Sequence, residues 1–99
     1  MAKVTVLNPN VPGYSSQVDG DRYAAMRDAI LAVTPAERPG LSAAEMIERV
    51  RPRLPEALWP GGAKVGWWQK TVQLDLEARG VLVRDAGAKP LRWYRTADR

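Results

Sequence analysis

The chain contains neither cysteine nor histidine. Those two absences together remove disulfides, thiolate and imidazole nucleophiles and the usual zinc ligands. Among the remaining residues no nucleophile and base pair is visible, so no enzyme, cofactor or metal is expected. Hydrophobic runs are short as well. None approaches the ~20 residues a membrane helix needs, and the apolar patch at 1–7 ends at Asn8-Pro9, too little for a secretory signal. A soluble, cytoplasmic protein is the default expectation. At 99 residues there is room for one core and not for two.

What is present is a positive excess confined to one part of the chain. The formal net charge is +4. Residues 1–60 carry seven basic and seven acidic side chains, whereas residues 61–99 carry eight basic against four acidic. The whole excess therefore belongs to the last two fifths, and such a localised field favours an anionic partner.

Taken in order, Lys3 to Leu7 has the β-branched content of a strand, and Asn8-Pro9-Asn10-Val11-Pro12-Gly13 interrupts regular structure. Residues 1–18 read as a strand or extended arm ahead of a domain at 19–99. The arm can lie across the domain, add to a sheet edge, reach a second subunit or stay a partly ordered tail. Asp19-Gly20-Asp21 marks a helix start, with Asp accepting from free amides. A metal pair of Asp19 and Asp21 is the weaker alternative, because nothing nearby supplies further ligands. The first helix spans about 22–33, with Tyr23, Met26, Ile30 and Val33 on one face, and stops at Thr34-Pro35.

Pro39-Gly40 is a turn, and Ser42-Ala43-Ala44-Glu45 is a capping box opening a second helix to about Arg51. Met46, Ile47, Val50 and Leu54 are its core candidates. Arg49, Arg51 and Arg53 suit phosphate contacts or a solvated face equally. Residues 54–64 form a long connector with one helical turn at 55–58, and Trp59 is expected to fold back as a lid on the core. Gly61-Gly62 ahead of Lys64 either holds a phosphate against free helix amides or marks a flexible bend.

The third helix is expected at 65–79, with Gly80 as a left-handed stop. At roughly 100° per residue, Val65, Trp68, Val72 and Leu76 form one stripe, and Trp67, Thr71, Leu74 and Ala78 an adjoining one. Both are expected to be buried. The remaining face carries Gly66, Gln69, Lys70, Gln73 and Glu77, and glutamine and lysine are side chains that read base edges in the major groove. Asp75 falls inside the apolar arc and is expected to pair with Arg79 or a basic residue of the ribbon. Residues 81–84 then read as a strand and 91–96 as its returning partner, a ribbon whose Arg84, Lys89 and Arg92 suit phosphate contact.

Leu76-Glu77-Ala78-Arg79-Gly80-Val81-Leu82, with the closing Arg92-Trp93-Tyr94-Arg95-Thr96, resembles the junction of recognition helix and wing in the winged helix-turn-helix family of bacterial DNA-binding domains. The whole chain also looks like a small group of uncharacterised bacterial winged-helix-like proteins. The resemblance implies an α+β fold, with a three-helix core and a C-terminal β-hairpin wing. Two departures stand out. Gln73 occupies a position where that family commonly has an apolar residue, which implies a rotated recognition face, and the connector before the third helix is longer than a compact turn.

The resulting expectation is a transcription-regulator-like protein that binds double-stranded DNA through Lys64, Gln69, Lys70, Gln73, Arg84, Lys89 and Arg92. The alternative is a protein-interaction or dimerisation module on the same scaffold. Exposure of Trp59, Trp67 or Trp93 would favour that alternative.

Overall fold

The computed structural model describes residues 2–96, and it begins with a hairpin. Lys3–Leu7 (β1) pairs antiparallel with Ser15–Asp19 (β2), from Lys3 opposite Asp19 to Leu7 opposite Ser15. The strand expected at 3–7 formed, and the chain returns at 15–19 to pair with it. Within β2 only Val18 is apolar, so its strand character comes from pairing. Val6 and Val18 both turn inward, at 2% and 8% exposure, and tie the hairpin into the common core. β2 then runs directly into the first helix, and the boundary expected at 18/19 falls within β2.

That helix, Gly20–Val33 (α1), is capped by Asp19, whose carboxylate accepts from the Arg22 amide at 3.0 Å. The capping box of the second helix, Ala43–Val50 (α2), is complete. Glu45 N–H donates to Ser42 Oγ at 3.2 Å, and Ser42 N–H donates to Glu45 Oε1 at 3.0 Å. Beyond Val50, where Pro52 lacks the amide to continue the α-helical ladder, the chain tightens into a 3-10 turn at Arg51–Arg53, and Leu54 is only partly buried. The connector makes the expected helical turn, with the Leu58 and Trp59 amides both donating to Pro55 O. Trp59 closes over the core at 3% exposure and meets Trp68 edge-on, with ring centroids 6.0 Å apart.

The third helix, Val65–Ala78 (α3), ends in a Schellman motif. Val81 N–H donates to Leu76 O and Gly80 N–H to Glu77 O, with Gly80 at φ +79°. After it come Leu82–Asp85 (β4) and Arg92–Arg95 (β5), the C-terminal hairpin. A two-residue strand that the sequence did not signal, Leu41–Ser42 (β3), adds to the other edge of β5, giving the antiparallel order β3-β5-β4. Among the described residues the architecture is thus α+β, with three helices, two small antiparallel sheets and a winged-helix-like arrangement of α2, α3 and hairpin. Gly40 permits the close pass of the turn before β3 over β5. It sits at φ +82°, and a Cβ there would collide with the Trp93 carbonyl.

One buried carboxylate joins three of these elements. Asp75 of α3 is 0% exposed. It accepts from the Leu7 amide of β1 at 2.8 Å, from the Tyr23 hydroxyl of α1, and from Arg79 Nε at 3.0 Å. Arg79 also donates to Thr5 O at 2.9 Å. Burial, reinforced by the hydrogen bond and the negative charge of Asp75, pushes the Tyr23 phenol up to about 12. Because that value lies above the unfolded one, the contribution of Tyr23 is fully present below pH ~10 and is lost as pH rises through ~12.

Replacing Asp75 by Ala would strand Tyr23, Arg79 and the Leu7 amide, and should cost roughly 3 to 5 kcal/mol in urea unfolding. Tyr23→Phe should cost about 1 to 2 kcal/mol at neutral pH. It should also delete the phenolate absorbance step near pH 12 and the accompanying loss of stability. Gly40→Ala should destabilise by more than about 2 kcal/mol, because backbone rather than a flexible side chain stands in the way.

Candidate nucleic-acid interface

The rotation of α3 decides which of its side chains can meet a partner. Its buried residues are Val65, Trp68, Gln69, Val72, Gln73, Asp75 and Leu76. They form an arc centred on the Val65–Val72 line and extending to both sides. On one side Asp75 faces α1 and β1, and on the other Gln69 and Gln73 face α2. The expected base readers Gln69 and Gln73 are therefore withdrawn from the surface, at 1% and 3% exposure. Gln69 Nε2 donates to Gln73 Oε1 at 2.7 Å and lies 3.0 Å from Met46 Sδ of α2. The stripe expected to be buried beside them turns outward instead. Trp67 is 56% exposed, Ala78 is exposed, and Thr71 and Leu74 are partly covered. The cause is that α3 lies between α1 with β1 on one flank and α2 on the other, which covers both edges of its central stripe.

The expected phosphate contacts divide by residue type. Arg84 pairs with Glu77 at 3.1 Å, donates to Asn10 Oδ1 at 3.3 Å, and lies over the Trp93 ring, 5.6 Å from its centroid. Arg92 donates to Gly40 O and to Glu45 Oε1, both at 2.9 Å. These two guanidiniums brace the hairpin against α3 and α2, so they are corrected from free phosphate ligands to internal contacts. Glu45 in turn is held below the usual carboxylate range, first by the Ser42 backbone N–H and then by Arg92. Lys64, Lys70 and Lys89 are exposed and make no ion pair among the described residues.

Two of those lysines flank the exposed indole. Lys64, at the start of α3, takes a left-handed conformation at φ +65°, a strained choice for a residue other than glycine. With Trp67, Trp68 and Arg22 of α1 it lines an open hollow of about 400 Å³. Trp67 is set edge-on against the buried Trp68, centroids 5.3 Å apart, which holds its ring outward. Arg51 lies near the start of α3 as well, lining a smaller hollow with Gly62 and Val65. The Gly61 amide, considered above as a phosphate donor, is taken by Glu56 Oε2 at 2.8 Å.

Sequence reasoning did not name Arg22 for this surface, and no local signal marks it, since α1 and α3 are brought together only by folding. Trp67 was legible as one of a tryptophan pair, but which indole faces out depends on the rotation of α3. Among the described residues no group of three or more His, Cys, Asp or Glu side chains could hold a metal ion, and no helix is long and apolar enough to cross a membrane.

Neither the curated proteins nor the solved structures contain a match to the chain. Residues 3–93 do match one protein family, which takes in nearly all of the elements described above, and the chain belongs to it: the family of unknown function DUF6958.

Proposed function

We propose that the protein is a non-enzymatic, transcription-regulator-like DNA-binding protein that meets the duplex through the outward face of the first half of α3. The observation that carries this is the run of Lys64, Trp67 and Lys70 on that face, all exposed, both cations unpaired among the described residues, on a winged-helix-like scaffold. Lys64, Lys70 and the neighbouring Arg22 and Arg51 supply charge for phosphates, and Lys89 adds to it from the loop of the hairpin. Trp67 supplies an apolar contact to sugar or base edge. Gln69, Gln73, Arg84 and Arg92 have internal roles and are left out of the interface. Membership of the wider winged helix-turn-helix group and a cytoplasmic location belong to the same proposal.

A protein partner is the second reading, and the exposed indole of Trp67 is what favours it, since tryptophan anchors many protein interfaces. The two separate in one experiment, fluorescence anisotropy with a mixed-sequence duplex at several salt concentrations. DNA binding predicts a Kd of roughly 1 to 100 μM at low salt, weakening steeply as salt rises. Lys70→Ala should weaken binding and lower the salt slope by about one. Unmeasurable binding at low salt would overturn the proposal and leave the partner protein.

Lys64→Gly is expected to act in opposite directions on two measurements. Relief of the left-handed strain should raise stability by up to about 1 kcal/mol in urea unfolding. Loss of the cation should weaken duplex binding.

A further inference from the structure

A third hollow, of about 420 Å³, opens between α2, α3 and the C-terminal hairpin, and its size is that of a small-molecule site. Its walls are mainly apolar, with Ile47 from α2, Leu74 from α3 and Leu91 and Trp93 from the hairpin. Of the polar side chains that line it, Asn10, Gln69, Lys70, Gln73 and Arg84, two give it a chemical bias. Gln69 lines it at 1% exposure with its amide nitrogen already engaged, yet its Oε1 has no hydrogen-bond partner. A buried acceptor left unpaired is costly, so native structures seldom keep one without a reason. Beside it Lys70 is exposed and without an ion pair, whereas Arg84, the other cation of the lining, is held by Glu77.

An apolar cleft with one unpaired acceptor buried in its wall and one free cation selects for a planar apolar body that carries both an N–H or O–H donor and a negative charge. The geometry points to a binding site for a small aromatic carboxylate bearing such a donor, with its ring on Ile47, Leu74 and Leu91, its donor on Gln69 Oε1 and its carboxylate on Lys70. This assignment stands apart from the DNA proposal, because it concerns the free protein. The two share Lys70, so a bound carboxylate and a duplex should weaken each other.

The test uses three probes on the full chain without DNA, followed by titration calorimetry and by ¹H–¹⁵N spectra. Indole-3-acetate has both groups, indole-3-acetamide lacks the charge, and 1-methylindole-3-acetate lacks the ring donor. The acid should bind saturably at one site and shift the Gln69 side-chain amide, the Trp93 indole N–H and the Gly66 amide. Each analogue should bind about 10-fold more weakly, the loss of one charged or buried hydrogen bond. Lys70→Gln should abolish the preference for acid over amide while leaving the spectrum of the fold unchanged. No saturable shift at millimolar acid would overturn the site. Equal affinity for all three probes would also overturn it, showing an apolar surface without selectivity. Equal affinity for acid and N-methyl acid alone would remove Gln69 from the assignment and overturn the requirement for a donor.

Discussion

Much of this fold depends on a carboxylate with no exposure to water. Asp75 inside a small core would be untenable without partners, and it is sustained by donors from β1, α1 and the residue that caps its own helix. Because these donors come from distant parts of the chain, the interaction sets the position of the N-terminal hairpin and the rotation of α3 together. With Asp75 turned to Tyr23, the far edge of the same helix, carrying Gln69 and Gln73, is turned to Met46 of α2. The surface left most open is Trp67, Lys70 and Ala78. The outward chemistry of α3 thus follows from an inward constraint.

A second regularity concerns how the basic residues of the C-terminal part are used. Its arginines mostly serve the fold. Arg79 spans Asp75 and Thr5, Arg84 spans Glu77 and Asn10, Arg92 spans Gly40 and Glu45, and Arg95 donates to Thr34 O. A planar fork with five donors can satisfy two acceptors on different elements at once, which an ammonium on a flexible stem does less well. The lysines of the same region stay in solvent. Net charge alone would treat both types as one positive field, whereas structurally the guanidiniums knit the hairpin to the helices and the ammonium groups remain available to a partner.

Two irregular features lie close to the surfaces assigned a role, although Thr34 Oγ1 and Trp59 Nε1 are also buried elsewhere in the fold without a partner among the described residues. Gln69 Oε1 is unpaired beneath the cleft between α2, α3 and hairpin, and Lys64 keeps a left-handed backbone beside Trp67. Caps and turns elsewhere are locally consistent, as the complete capping box of α2 and the Schellman end of α3 illustrate. Local rules are broken at few places in a foldable sequence, and such places are where function is reasonably sought.

Helix starts and stops were legible in the amino-acid sequence because they are made by neighbours. Asp19 reaches the Arg22 amide, Ser42 and Glu45 cap each other, and Gly80 closes α3 over residues 76–81. The C-terminal hairpin was legible for the same reason, as an apolar run and an alternating run either side of a Gly- and Pro-containing loop. Even the pairing of Asp75 with Arg79 is a contact one helical turn long. What only the tertiary structure decided were relations between segments far apart: β2 recruited by β1, β3 by β5, and the angle at which α3 meets α1 and α2. A helical wheel yields the order of side chains around an axis but not its absolute rotation against neighbours. That rotation, set by long-range burial and by Asp75, is why Gln69 and Gln73 went inside and Trp67 stayed out.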